Sequence, residues 1–260
     1  MLHIVKRRST PYPGTQSPLR AVRLLKALAG DRPGRGLGEL ARAVGLTKTT
    51  AFRILTALES EGMVERTEEG YRLGPELLSL GARALGASGL RQAAGGELRA
   101  LAEATGETAS LEVLVDRDVL VVDEATGRHR VATMPSVGAR WPAHAASTGK
   151  AVLAFLPEED LKAFLRGRLP RLTPRTITAA AALRRELDRV RERGFAVNAE
   201  EMEEGFVAVG APVRAGDGRV AAAISVGGPR SRLGPERVAD LGRLVPAAAA
   251  RISERMGAGR

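Results

Sequence analysis

The chain has 260 residues, 44% of them hydrophobic, with a formal net charge of +10 and no cysteine. That length fits one or two domains by the usual ~100–200 residues per domain, and missing cysteine excludes both a disulfide framework and thiol catalysis. No apolar run approaches the ~18 residues that span a bilayer, and residues 1–10 lack the apolar stretch and cleavage site of a signal peptide. A cytoplasmic protein is expected, and its basic balance favours a polyanionic partner. The excess charge is concentrated: residues 1–85 hold 14 Lys and Arg against 8 Asp and Glu, whereas residues 86–260 hold 26 against 22.

Residues 1–17, with Pro11, Pro13 and Gly14 and the basic Lys6, Arg7 and Arg8, read as a disordered basic tail. A helix is expected over 19–29, because Ala21, Leu24, Leu25 and Leu28 recur at helical spacing. Residues 31–36 form a loop. Residues 37–71, LGELARAVGLTKTTAFRILTALESEGMVERTEEGY, then carry the densest signal in the chain. They read as a helix over 37–44, a Gly45-Leu46 turn, and a second helix from Lys48 to about Glu61 with Thr47 as its N-cap. At about 100° per residue, Ala51, Ile54, Leu55 and Leu58 share one side of that helix, and Thr49, Arg53, Thr56 and Ser60 share the other. Thr and Arg on an outer face, with Lys48 at its start, suit the edges of bases in a major groove. Thr50 lies about 100° from Thr49, so it either meets DNA or caps and packs. A two-stranded wing follows over 64–66 and 71–73, where Arg66 and Arg72 are within reach of phosphate or a minor groove. Gly74-Pro75 closes an 18–75 winged domain, and 76–88 is a helical connector with Leu77, Leu78, Leu80 and Leu85.

The second domain is expected over 89–260. A helix spans 90–104, and strands over 108–115 and 119–125 flank the turn Asp116-Arg117-Asp118. Residues 131–135 are a further candidate strand. Helices are expected over 146–156, 158–165 and 180–193, the last ending at Gly194. Strands over 206–213 and 220–227 are joined through Asp217-Gly218, a strong hairpin signal. A final helix spans 235–256 and contains Pro246. Helices on an antiparallel sheet make an α+β domain.

Over roughly 17–255 the chain resembles the IclR family of bacterial transcriptional regulators. SPLRAVRLLKAL and GLTKTTAFRILTALESEGMVER resemble the family's winged helix-turn-helix. WPAHAASTGKAVLAFLP, the Thr173 to Thr178 segment, LRRELDRVRERGFAVNAEEMEEG and VAVGAPVRAGDGRVAAAISVGGP resemble its GAF-like effector domain. The resemblance implies a DNA-binding regulator, read here as a repressor, that acts on a double-stranded operator as a homodimer or tetramer. It implies control by a small organic or aromatic acid and requires no cofactor. By position, Lys48, Thr49, Thr50 and Arg53 fall where the family's recognition helix meets DNA, and Arg20 where it contacts phosphate; a solvated arginine is the alternative for Arg20.

The same resemblance implies an effector cavity walled by Trp141, Ser147, Thr148, Asn198, Phe206, Ala208, Ser225 and Gly227. Ser147-Thr148 opens a helix, so it is expected to hold an anion, to serve as an ordinary N-cap, or both. Members that take small acids such as glyoxylate tend to place an acid at 198, Cys at 208 and a second Ser at 227. Asn198, Ala208 and Gly227 depart from that pattern, which implies a roomier, less polar pocket for a larger or aromatic carboxylate. Trp141 and Phe206 either wall that pocket or fill the core.

Other chemistry finds little support. Ser147-Thr148-Gly149-Lys150 lacks the earlier glycine of a phosphate loop, where His144 stands. Gly34, Gly36 and Gly38 follow no strand. The acidic run 200–204 has no histidine cluster beside it, and no G-x-S-x-G elbow occurs. Two other function classes remain open: an enzyme acting on a small acid with an incidental winged domain, and a DNA-binding protein without effector response.

Overall fold

The computed structural model of the chain describes residues 15–29, 34–86, 89–129 and 137–258. Lys6, Arg7, Arg8 and the strand expected over 131–135 lie outside them. The chain divides into two compact units after Ala87.

In the first unit, α1 (Gln16–Leu28), α2 (Leu37–Val44) and α3 (Lys48–Ser60) precede the hairpin β1 (Val64–Thr67) and β2 (Gly70–Leu73), and α4 (Glu76–Gly86) follows. Leu24, Leu28, Leu40, Leu55, Val64 and Tyr71 make its core. Each fully buried leucine there contributes about 1.5–3 kcal/mol. Gly45 ends α2 at φ 68°, and the Leu46 N–H turns back to the Ala41 carbonyl at 2.8 Å. The Thr47 hydroxyl accepts from the Thr50 N–H at 3.2 Å and starts α3. The expected loop before α2 contains one extra sheet contact: Arg35 and Tyr71 exchange backbone N–H···O bonds of 2.9 Å. Gly70 permits this approach, because a Cβ there would stand 2.5 Å from the Arg35 carbonyl oxygen.

The second unit is built on one antiparallel sheet. Its strands are β3 (Thr108–Val115), β4 (Asp118–Ala125), β5 (Arg140–Pro142), β6 (Ala196–Ala199), β7 (Phe206–Arg214) and β8 (Val220–Pro229), in the spatial order β5-β4-β3-β8-β7-β6. Both edge strands, β5 and β6, are absent from the sequence expectation. They are only three and four residues long, too short to show a period of two. The helices α5 (Leu90–Thr105) and α9 (Pro235–Arg255) cover one face. Glu97 of α5 ties them together by accepting from Arg251 and Arg255 of α9. On the other face lie α6 (Ser147–Leu153), α7 (Glu158–Leu165) and α8 (Ala180–Arg193), around a core that includes Leu153, Leu161, Leu183 and Leu187.

Register decides which residues share the face toward α6. One row runs Asn198, Ala208, Gly227, Thr108 across four strands. The next row toward the sheet centre runs Gly210, Ser225, Ser110, Glu124. Because side chains alternate along a strand, both rows point to one side. Glycine at 210 lets α6 sit directly on the sheet: a Cβ there would meet the Thr148 backbone nitrogen at 2.8 Å.

Candidate functional site

The exposed side of α3 carries Lys48, Thr49, Phe52, Arg53 and Thr56, and its buried side carries Ala51 and Leu55. Thr50 is half-buried and its hydroxyl bonds that of Thr47 at 2.9 Å, so it belongs to the helix cap. Arg20 is half-buried on α1. In the wing, Arg66 is exposed, whereas Arg72 lies across the hairpin from Glu65 and donates to it at 2.7 Å. Phe52, 44% exposed, completes this face; its apolar side chain makes it invisible to a search for polar contacts.

In the second unit a cavity of about 610 Å³, its mouth included, lies between the sheet and the start of α6. Its walls include all eight residues expected there: Trp141, Ser147, Thr148, Asn198, Phe206, Ala208, Ser225 and Gly227. Thr108, Ser110 and Glu112 of β3, Val121 and Glu124 of β4, Ala146 and Met202 complete it.

Residues 82–254 match the family model of the bacterial transcriptional regulator IclR C-terminal domain, and residues 17–68 match that of the IclR helix-turn-helix domain. The chain belongs to the IclR family. It is therefore a DNA-binding transcriptional regulator with an N-terminal helix-turn-helix domain and a C-terminal effector domain. A glycerol operon regulatory protein of Streptomyces griseus is 38% identical over 249 residues, covering 94% of this chain and 98% of that protein. The crystal structure of an IclR regulator from Alicyclobacillus acidocaldarius is 33% identical, with a TM-score of 0.82 over 93% of this chain and 98% of the other. An IclR homologue from Microbacterium hydrocarbonoxydans, solved in complex with 4-hydroxybenzoate, is 29% identical, with a TM-score of 0.81 over 92% of this chain and 98% of that one.

In this IclR regulator the cavity is more polar than its sequence suggested. Asn198, Ala208 and Gly227 give up polar groups, but β3 restores them. The Glu112 carboxylate accepts from the Thr148 hydroxyl at 2.5 Å and from the Ser110 hydroxyl at 2.9 Å. Ser110 in turn lies 2.9 Å from the Ser225 hydroxyl. Burial pushes the Glu112 carboxyl above the usual carboxylate range, against the pull of those two hydroxyls. Burial, followed by the charge of Asp123, likewise raises Glu124. No Lys or Arg lines the cavity among the described residues. The cavity is not opened at Gly227 either, since the Phe206 Cζ stands 2.6 Å from where a Cβ would be. The phenyl ring takes the space that a serine side chain would use.

Two further expectations change. Ala146, not Ser147, is the N-cap of α6, and no side chain caps that helix. Thr148 is committed to Glu112, and α6 is only seven residues long, so it is a poor anion cradle. The acidic run 200–204 is partly structural. Glu200 pairs with Arg230 and Arg175. Glu201 pairs with the fully buried Lys150, whose Nζ also donates to the Val197 carbonyl at 2.6 Å. No group of acidic or histidine side chains fit to hold a metal occurs among the described residues.

The same bend is clamped from outside. The Thr173 hydroxyl donates to the Glu200 carbonyl at 2.7 Å, and the Thr176 hydroxyl to that of Glu201 at 2.6 Å. The Glu201 N–H donates to Asn198 Oδ1 at 2.8 Å. With its oxygen engaged, Asn198 has its NH2 group left for the cavity. The Thr173 to Thr178 segment thus fixes the rim that carries Asn198 and Met202. β3 escaped the sequence reading as a cavity wall, although its pattern held the signal: Thr108, Ser110 and Glu112 are alternate residues in an otherwise apolar strand.

Proposed function

We propose that this regulator is a cytoplasmic, non-enzymatic repressor whose operator affinity is set by a medium-sized or aromatic organic acid bound in the cavity under α6. The observation that carries this reading is the convergence of Trp141, Phe206, Met202 and Val121 with Ser147, Thr148, Asn198 and Ser225 on one cavity. Aromatic and aliphatic walls with a few placed polar groups suit a small ligand that has an apolar body and a polar head. The relative solved with 4-hydroxybenzoate supports that chemistry. No helix among the described residues is long and apolar enough to cross a membrane, in keeping with a cytoplasmic site.

Lys48, Thr49 and Arg53 read the operator in this account, with Arg20, Arg66 and Arg72 placed for phosphate and Thr50 supporting the helix start. One winged domain reads one half-site, so a dimer or a pair of dimers on a dyad-symmetric operator is expected. The exposed Leu78 and Leu80 of α4, the former 77% accessible, offer an apolar surface for pairing. Against catalysis, His144 is held by the Pro170 carbonyl at 2.9 Å and lies outside the cavity lining.

The test is a thermal-shift screen of aromatic and aliphatic acids, because a ligand that binds the native state raises the melting temperature by mass action. Each hit is then added to operator-bound protein and incubated alone with protein. Release of DNA without turnover supports the proposal. Turnover of a hit would favour an enzyme, and a screen without hits a DNA binder without effector response.

A further inference from the structure

We propose that Glu112 sets the hydrogen-bonding polarity of the cavity wall, and that the acid effector binds together with a proton held on Glu112. This inference rests on the organic-acid reading above.

The geometry carries it. Both Glu112 oxygens accept hydroxyls, from Thr148 and from Ser110, and Ser110 is joined to Ser225. With Glu112 ionised, the Thr148 and Ser110 protons are spent on it, and Ser110 can only accept from Ser225. The Thr148 and Ser110 protons then point to Glu112 and the Ser225 proton to Ser110, and the cavity meets lone pairs. Such a wall suits a ligand that donates and repels a carboxylate.

With a proton on Glu112 the direction reverses. The carboxyl O–H donates to Thr148 or Ser110, and the hydroxyl that receives it is free to donate elsewhere. Through Ser110 the change passes on to Ser225. One proton therefore converts an acceptor on the wall into a donor for the incoming carboxylate. Two carboxylates in one desolvated site share a proton rather than both ionise.

Among the described residues the surroundings supply no competing cation. Lys150, also on α6, is taken by Glu201 and the Val197 carbonyl. Asp123 on β4 pairs with Arg91, and Glu97 on α5 pairs with Arg251 and Arg255. Glu124 on β4 stands opposite Ser110 and adds a second negative group to the lining. Burial already favours the protonated form of Glu112, and a ligand carboxylate favours it further.

The test uses the full chain and the probes benzoate, 4-hydroxybenzoate and pyruvate, each beside an uncharged analogue such as benzamide. Affinity is measured by calorimetry from about pH 5.5 to 9, in buffers of differing ionisation enthalpy, for the wild type, Glu112→Gln and Glu124→Gln. The carboxyl groups of these acids remain ionised across that range, and the slope for 4-hydroxybenzoate is read below about pH 8, before its phenol begins to ionise. Wild-type affinity for the acid is expected to fall with rising pH, approaching tenfold per unit with uptake of one proton. Glu112→Gln mimics the protonated form with its NH2 and is expected to bind the acid with a flat profile, while Glu124→Gln, which removes a negative group from the lining, is expected to bind the acid more tightly and still show a slope. A flat wild-type profile with tight acid binding would overturn the proton switch and leave the acid reading intact. A slope that disappears in Glu124→Gln and persists in Glu112→Gln would also overturn it. Binding of the uncharged analogues alone, with no acid bound by any variant, would overturn the acid reading itself and the switch with it.

Discussion

The two units of this IclR regulator display their chemistry in opposite ways. On α3 the functional candidates stand in water on one face of one helix, and Lys48, Thr49 and Arg53 are separated by at most five positions in sequence. In the effector domain the polar groups are withdrawn from water and gathered from distant segments. Ser110 and Ser225 touch at 2.9 Å although 115 positions separate them. The exposed site needs only a stable helix to present it. The buried site needs the whole sheet in register, and every polar group in it must find a partner.

Helix α6 meets that requirement in full at Glu112 and only in part at Glu201, whose Oε2 is buried without a partner. Thr148 serves Glu112 with a neutral hydroxyl, and two residues later Lys150 serves Glu201 with a full charge. The first carboxylate adjoins the cavity and is free to change its protonation. The second is held in the fold by Lys150, although burial raises its carboxyl as well. The comparison predicts a hierarchy of effects.

The largest belongs to Lys150. Lys150→Met leaves Glu201 buried without its cation, a change that costs about 3–5 kcal/mol. Chemical denaturation should show it, and a variant as stable as the wild type would mean that Glu201 takes up a proton or reaches solvent. Arg53→Ala should come next in operator binding, with a loss of about 1–3 kcal/mol at matched salt if it reads a base. Unchanged affinity would reject the assigned face of α3.

In the wing, Arg66→Ala should weaken binding and lower the salt slope by about one. Arg72→Ala should do less, because its guanidinium is already paired with Glu65. Equal effects would mean that this pair opens on DNA.

Glu112 makes a prediction for stability in the absence of effector. Its carboxyl holds a proton more tightly in the folded than in the unfolded protein. Its contribution is therefore fully present below the unfolded value of about 4.3 and is lost as pH rises through the folded value. Glu112→Gln should gain stability relative to the wild type as pH is raised from about 4 to 8. Denaturation curves whose difference is constant over that range would show that Glu112 titrates normally.

What the sequence made legible follows the same division. Helical periodicity placed the buried side of α3, and Thr47 announced its cap. The bridge from Arg35 to Tyr71 was hidden because a single pair has no period. Family resemblance found the walls from β5, α6, β6, β7 and β8. It missed Glu112 because one carboxylate within SLEVLV reads as a polar position on a strand, and nothing local says that Thr148 will lie against it. The β3–β8 register is a long-range pairing, decided by packing across the sheet rather than by neighbours in the chain.

The central claim is that an acid in the buried site governs the exposed one. It is tested most directly by operator affinity with and without a thermal-shift acid hit, measured on the wild type and on the Ser147→Ala/Ser225→Ala variant. The acid should lower operator affinity of the wild type and lose that effect in the variant, whose affinity for DNA alone should be unchanged. Operator affinity that stays constant while the acid saturates the wild-type protein would contradict it.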